Sequence, residues 1–324
     1  MMREKRRVLF LLLNVVLLVC LASAQEAKPS KYQMRASKLA SNVYMIESAG
    51  GNIGASVGDD GIVMIDDEVE PLVEQTLAAL KGISNKAVKF IINTHYHDDH
   101  TGGNGYFQKL APIIAHDNVR RRLESGGISG NGGSMHEEVK PAATEALPTF
   151  TFNDEITLHL NGEDICVIHY PSAHTDGDAI VFFRRANVVH MGDIFVTYGF
   201  PFVDIDSGGN IDGMIDAVEK VIAQSPPDVT IIPGHGPVSK LGDLRRYLLM
   251  LKETRNVVAK ALRDGKTLDQ MRQAKILNPW KKYSGDFVSE DAFLETLYNS
   301  LHNKKQRDAA QKAGMHTKAM LLAP

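Results

Sequence analysis

Cysteine is nearly missing: 324 residues hold two, Cys20 and Cys166. Once residues 1 to 24 are removed, as argued below, only Cys166 remains, no intramolecular disulfide can form, and stability must come from packing and metal. Cys166 lies in the apolar run Ile165 to Ile168. A thiol there acts as a small buried hydrophobe, with a metal ligand as the sharper alternative. Beyond the N-terminus there is no basic block and no interleaving of aromatic and basic residues to follow a phosphate backbone, which argues against nucleic acid as a partner. Long apolar runs are also scarce. The one candidate, Val8 to Leu21, holds 14 residues including Asn14, short of the roughly 20 that a spanning helix needs.

That run follows Arg3, Glu4, Lys5, Arg6 and Arg7 and precedes Ala22, Ser23 and Ala24, the basic, apolar and small-residue order of a secretory signal. We expect a signal peptide over 1–24, a linker over 25–35, and a periplasmic or secreted protein with no membrane attachment after cleavage. A retained anchor, or lipidation at Cys20, fits less well, since Val19 stands where a small residue precedes a lipidated cysteine. Removal takes away four basic and one acidic side chain and shifts the formal charge by three, from −3 to −6.

Short β-rich runs over 42–46 and 61–65 are separated by glycine-bearing turns, and an amphipathic helix opened by Pro71 precedes a strand over 88–93. The second half has the same order: strands over 156–160, 165–170, 179–184 and 188–191, a helix over 212–223, and a strand over 229–232. Such alternation suits an α/β protein in which two sheets lie between outer helices, with functional residues on loops at one edge. Residues 239–324 read as a helical extension with long patterns over 241–262 and 290–301 and a fraying tail beyond Asn303. Between the halves, the stretch 125–134 carries five glycines. It reads as too glycine-rich for a stable element and is either a mobile flap over a substrate or a surface connector.

The chemistry concentrates where the strand ending at Asn93 runs into Thr94-His95-Tyr96-His97-Asp98-Asp99-His100. His95 and His97 on alternate residues can converge on one metal, while Asp99 and His100 reach a second beside it. Imidazole and carboxylate suit Zn²⁺, with iron or manganese as alternatives. One loop cannot supply every ligand, so others must sit at other strand ends. His174, Asp193 and His235 each stand just past a strand. Of the remaining histidines, only His136, beside the glycine-rich stretch, attracts notice; His116, His159, His169, His190, His302 and His316 read as structural or surface residues.

This set resembles the metallo-β-lactamase superfamily over roughly residues 36–238. The resemblance implies a four-layer αββα sandwich with two zinc ions per chain. His95, His97 and His174 would hold one, Asp99, His100 and His235 the other, and Asp193 would bridge them. Asp66, closing the strand 62–65, would stand behind the ligands. Two cations supply hydroxide at neutral pH, so the expected activity is hydrolysis of an activated carbonyl in a small molecule (a lactone, thioester or β-lactam) by metal-bound hydroxide. Asp99 would orient that hydroxide and carry its proton. Aspartate at 193 resembles the thioesterase, lactonase and glyoxalase-type branches, whereas many true lactamases carry cysteine or serine there; export points the other way. A β-lactamase proper is one alternative, and a mononuclear iron sulfur dioxygenase is another from a different class. Phe195, Tyr198, Phe200 and Phe202 either line an apolar pocket or pack beneath their loop.

Overall fold

The computed structural model describes residues 34–302. The expected signal peptide, most of the linker, His316 and the tail beyond Asn303 lie outside the described residues. Strands β1 (Arg35–Lys38), β2 (Val43–Glu47), β3 (Ile53–Gly58) and β4 (Gly61–Ile65) form an antiparallel meander. After a 3-10 turn at Glu70–Leu72, where Pro71 supplies the fixed φ, helix α1 (Val73–Ile83) returns the chain to β5 (Val88–Ile92). Short helices α2 (Asp98–Thr101) and α3 (Asn104–Phe107), strand β6 (Ile113–His116) and helix α4 (Asp117–Ser125) follow. A hairpin of β7 (Gly127–Gly130) and β8 (His136–Val139) stands apart, and β9 (Phe150–Phe152) completes a seven-stranded sheet in the order β1-β2-β3-β4-β5-β6-β9.

The second sheet has six strands: β10 (Glu155–Leu160), β11 (Glu163–His169), β12 (Ala179–Phe183), β13 (Val188–His190), β14 (Thr230–Ile232) and β15 (Ser239–Lys240). Helix α5 (Ile211–Gln224) carries the chain from β13 to its parallel neighbour β14. Helices α6 (Leu241–Arg263), α7 (Leu268–Gln273) and α8 (290–302) follow.

Strand alternation builds the layers. On β4, Val63 and Ile65 enter the core between the sheets, while Ile62 and Met64 enter the core beneath α1. On β12, Val181 and Phe183 face the first sheet, whereas Ile180 and Phe182 pack towards Met214 and Val218 of α5 and Leu244 and Leu251 of α6. Both faces of each sheet are therefore covered, which gives helix, sheet, sheet, helix. Each buried aliphatic or aromatic side chain contributes about 1.5–3 kcal/mol. Cys166, on the outer face of β11, is half-buried rather than fully buried and joins none of the metal-competent groups among the described residues.

One expectation is corrected. The glycine-rich stretch does form a regular element: Gly127 to Gly130 pair with Val139 to His136 in antiparallel register. The tethers are long-range side chains. Gly130 N–H donates to Asp204 (2.9 Å), and Ser134 N–H donates to Glu295 of α8 (2.8 Å).

Candidate active site

All seven predicted ligands meet on one rim, where strands of both sheets end. His97 has extended backbone (φ −63°, ψ 149°), and α2 begins at the next residue. The chain thus changes direction between the pair His95 and His97 and the pair Asp99 and His100, so one loop serves two neighbouring positions. His174 lies in the loop after β11, Asp193 in the 3-10 turn after β13, and His235 beyond β14. Asn52 ties the rim together across the sheets, its Nδ2 donating to the carbonyls of Pro233 and Gly236, both at 2.8 Å.

The ligand atoms fall into three groups: His95, His97 and His174; His95, His100 and Asp193; and Asp99, His100 and His235. Within each group they lie within 4.8 Å of one another. His174 Nε2 is 3.0 Å from His97 Nδ1, and His235 Nε2 is 3.1 Å from Asp99 Oδ2 and 3.3 Å from Asp193 Oδ2. Crowding by glycine makes this possible. A Cβ at Gly51 would stand 2.4 Å from the His100 ring, and one at Gly234 would stand 1.9 Å from Asp193 Oδ1.

Whether these residues fit a metal is decided by their unused atoms. Eight buried side-chain polar atoms among the described residues lack a hydrogen bond, and three of them are His95 Nε2, His100 Nε2 and Asp193 Oδ1, the members of the middle group. His100 Nε2 and Asp193 Oδ1 are 3.2 Å apart, yet their orientation makes no hydrogen bond. Each such atom costs about 1–3 kcal/mol, and a cation satisfies all three together. The donor set of neutral imidazoles and carboxylates suits a divalent ion such as zinc.

The opposite nitrogen of each buried ring is held. His100 Nδ1 meets Asp66 Oδ2 at 2.8 Å, and Asp66 also accepts from Thr94 N–H (2.7 Å) and Thr94 Oγ1 (2.8 Å). Asp66 reaches this position through a left-handed backbone, φ 62°, which aspartate tolerates better than most residues. His174 Nδ1 meets the Phe202 carbonyl at 2.9 Å, and His97 Nε2 meets Asp204 Oδ2 at 2.9 Å. These partners set each ring's orientation and tautomer. Asp204 went unnoticed in the sequence reading. It is wholly buried, accepts from Tyr96 Oη (2.7 Å) and Ser207 N–H (2.9 Å), and has only an ordinary turn setting to mark it.

Charge divides the site. Burial alone would depress His100, but Asp99, Asp193 and Asp66 overcome it and hold the imidazole well above its usual pKa. Against the same burial, Asp193 first and then Asp99 push His235 up to about 10. Asp193 in turn is held well below the carboxylate range, because His235 and His100 outweigh its burial. His174 falls to about 4 through burial and then His97, and His95 is lowered by burial and its imidazole neighbours. One side is therefore a neutral nitrogen donor set and the other an anionic pair that demands positive charge.

A cavity of about 830 Å³ opens over the site. The aromatic run divides: Tyr198 and Phe202 line the cavity, while Phe195 and Phe200 are buried in the core. His136 also lines it. His116 and His169 stack on each other at 3.6 Å, His190 is buried beneath the rim against Asn52, and His159 and His302 pair locally with Asp164 and Tyr298.

Comparison with known proteins agrees with this geometry. The family model described as the metallo-beta-lactamase superfamily matches residues 37–235. The hydroxyacylglutathione hydrolase of a Polaromonas species is 25% identical over 196 residues, 60% of this chain and 64% of that protein, so the match spans less than two thirds of that relative. A metallo-beta-lactamase from Pontibacter korlensis superposes with a TM-score of 0.57 at 19% identity, covering 68% of this chain and 99% of that one. A double mutant of the sec-alkyl sulfatase PisA1 superposes with a TM-score of 0.61 at 13% identity, covering 82% of this chain and 50% of that one. With the αββα layering and seven clustered His and Asp side chains already in place, the match over 37–235 means that the chain belongs to the metallo-beta-lactamase superfamily.

Proposed function

We propose that the protein is a metal-dependent hydrolase of small molecules carrying an activated carbonyl, with two zinc ions per chain. The observation that carries this reading is the cluster of unpaired buried ligand atoms on His95, His100 and Asp193, flanked by two further triads of donors. His95, His97 and His174 would hold one ion and Asp99, His100 and His235 the other, with Asp193 between them. Bound divalent cations supply Lewis-acid activation of water and of a carbonyl oxygen.

The chain's own residues do the rest. Asp66 and Asp204 fix the rings of His100 and His97, so no reorganisation is needed when substrate arrives. Asp99 is the carboxylate best placed to orient a nucleophilic water and take its proton, because both it and Asp193 border the cavity but its side chain is 34% exposed against 9% for Asp193. Tyr198 and Phe202 give the acyl portion an apolar surface beside the site. Export is part of the same proposal and rests on residues 3 to 24 alone.

The test is elemental analysis of the purified protein together with turnover of a cephalosporin, an acyl-homoserine lactone and a thioester. Two zinc ions and hydrolysis that is lost in His97→Ala support the proposal. One iron per chain with no hydrolysis would replace it with an oxygenase.

A further inference from the structure

Three aromatic rings and two carboxylates from distant segments meet around the cavity mouth. Tyr198 and Phe202 follow Asp193, and Phe287 precedes α8. The Tyr198 ring stands 5.7 Å from His235, the Phe202 ring 6.0 Å from His97, and Phe287 lies 5.8 Å from Tyr198 and 5.9 Å from Phe202. The cluster therefore borders both halves of the metal-competent site. Phe287 is 61% exposed, and a large apolar side chain so placed at a cavity mouth loses contact with water only when a ligand covers it.

On the side bounded by the β7–β8 hairpin, the cavity is lined by Asp98 and Glu137. Glu137 pairs across the hairpin with Ser129, which also lines the cavity, whereas the next residue, Glu138, pairs with Ile128, which does not. Among the described residues no lysine or arginine lines this cavity; Lys109 and Lys140 line an adjoining one, which shares His97, Asp98 and Glu137 with it. A carboxylate on the remote end of a substrate would meet two like charges with no cation to neutralise it. An ammonium group would find carboxylates and aromatic faces together, the combination that binds cations best. An uncharged end would meet no penalty.

Resting on the hydrolytic reading above, we infer that the substrate is an acyl compound with an apolar portion and a remote end that is uncharged or cationic, selected by Glu137 and the rings of Tyr198, Phe202 and Phe287. Substrates bearing carboxylates, as glutathione conjugates and β-lactam antibiotics do, fit this cavity poorly.

The test uses the metal-loaded protein and three phenylacetyl thioesters that differ in the thiol: thiocholine, N-acetylcysteamine and thioglycolate. The cationic and neutral esters should exceed the anionic one in kcat/KM by about tenfold or more. Glu137→Lys should shrink or invert that order, while Glu138→Lys, the same change of net charge on the next residue of β8, should leave it in place. Calorimetric binding of trimethyl(3-phenylpropyl)ammonium gives a readout without turnover: affinity should fall in Glu137→Gln and further in Glu137→Lys. Equal or better hydrolysis of the thioglycolate ester, or no measurable binding of the ammonium compound to the wild-type protein, overturns the inference. Ammonium binding that depends on Glu137, with no ester turned over, sinks the hydrolytic reading of thioesters and leaves the selectivity of the cavity standing.

Discussion

Oδ2 of Asp204 lies 2.9 Å from Nε2 of His97, and the other nitrogen of that ring, Nδ1, lies 3.0 Å from Nε2 of His174. A carboxylate in that position accepts the Nε2 proton and leaves Nδ1 with its lone pair, so a residue 107 positions away chooses which atom of His97 is free to bind a metal.

Asp204→Asn tests this directly. Gly130 N–H and Ser207 N–H both donate to Oδ1, so the amide oxygen must stay there and the amide nitrogen must face His97. The imidazole then has to accept at Nε2 and carry its proton on Nδ1. Zinc affinity, measured by competition with a chromophoric chelator, should fall about 10–100-fold with the far-ultraviolet circular dichroism unchanged. Wild-type affinity in this variant would show that Asp204 serves the hairpin alone.

Metal removal should cost stability. A cation that binds only the folded chain stabilises it by about 4 kcal/mol at a thousandfold excess over Kd. Dialysis against a chelator should lower Tm by several degrees, and stoichiometric zinc should restore it. The orphaned nitrogens of His95 and His100 identify the cause: in His95→Asn the restored shift should be smaller.

Gly234→Ala places a methyl group 1.9 Å from Asp193 Oδ1 and against the Gly192 backbone. Neither neighbour can retreat, so destabilisation of about 1–3 kcal/mol and loss of metal are expected in urea titrations and elemental analysis. Gly242→Ala, in α6 and 3.7 Å from the end of Arg246, should be neutral or stabilising. Similar outcomes for both variants would mean that close packing at Gly234 is unimportant.

Acid should act away from the metal site as well. His116 and His169 stack at 3.6 Å with rings 9° from parallel. Burial, and then His169, push His116 down to about 4, and burial lowers His169. Above the unfolded imidazole value of about 6.5 both states are neutral and the pair has no effect on stability. Below it the unfolded chain takes up protons that the folded chain refuses, so stability falls until the pH passes about 4. His116→Asn keeps a cap for α4, because His116 Nδ1 accepts from Asn118 N–H. The drop in unfolding free energy between neutral and acid pH, from urea titrations, should be smaller in this variant by about 1–2 kcal/mol after allowing for solvent screening. The same acid drop in both proteins would discount the stacked pair.

Local pattern made most of the framework legible. The strand expected over 61–65 is β4 to the residue, and the helix expected over 212–223 is α5 (Ile211–Gln224). Both signals come from periodicities of two and 3.6 residues that the chain carries wherever it folds. The candidate ligands were legible for a related reason: four of them occupy six consecutive positions from His95 to His100, and no folding event can separate them. His174, Asp193 and His235 were legible because each follows an apolar strand that ends at the rim.

Tertiary structure alone decided the rest. Asp204, Asn52 and Glu295 act on partners more than a hundred residues away, and nothing in their own neighbourhoods distinguishes them from ordinary turn, loop or helix residues. Gly127 and Gly130 are poor strand formers, yet pairing with β8 and tethers to Asp204 and Glu295 override that preference, since strand propensity is weak beside context. Phe195 and Phe200 became core while Tyr198 and Phe202 became cavity wall, because the path of an irregular loop has no period to read. The amino-acid sequence determined which residues are candidate metal ligands and where the strands deliver them; the fold determined which nitrogen of each ring is free to bind and what surface a substrate would meet, because both depend on groups brought together only when the two sheets close on each other.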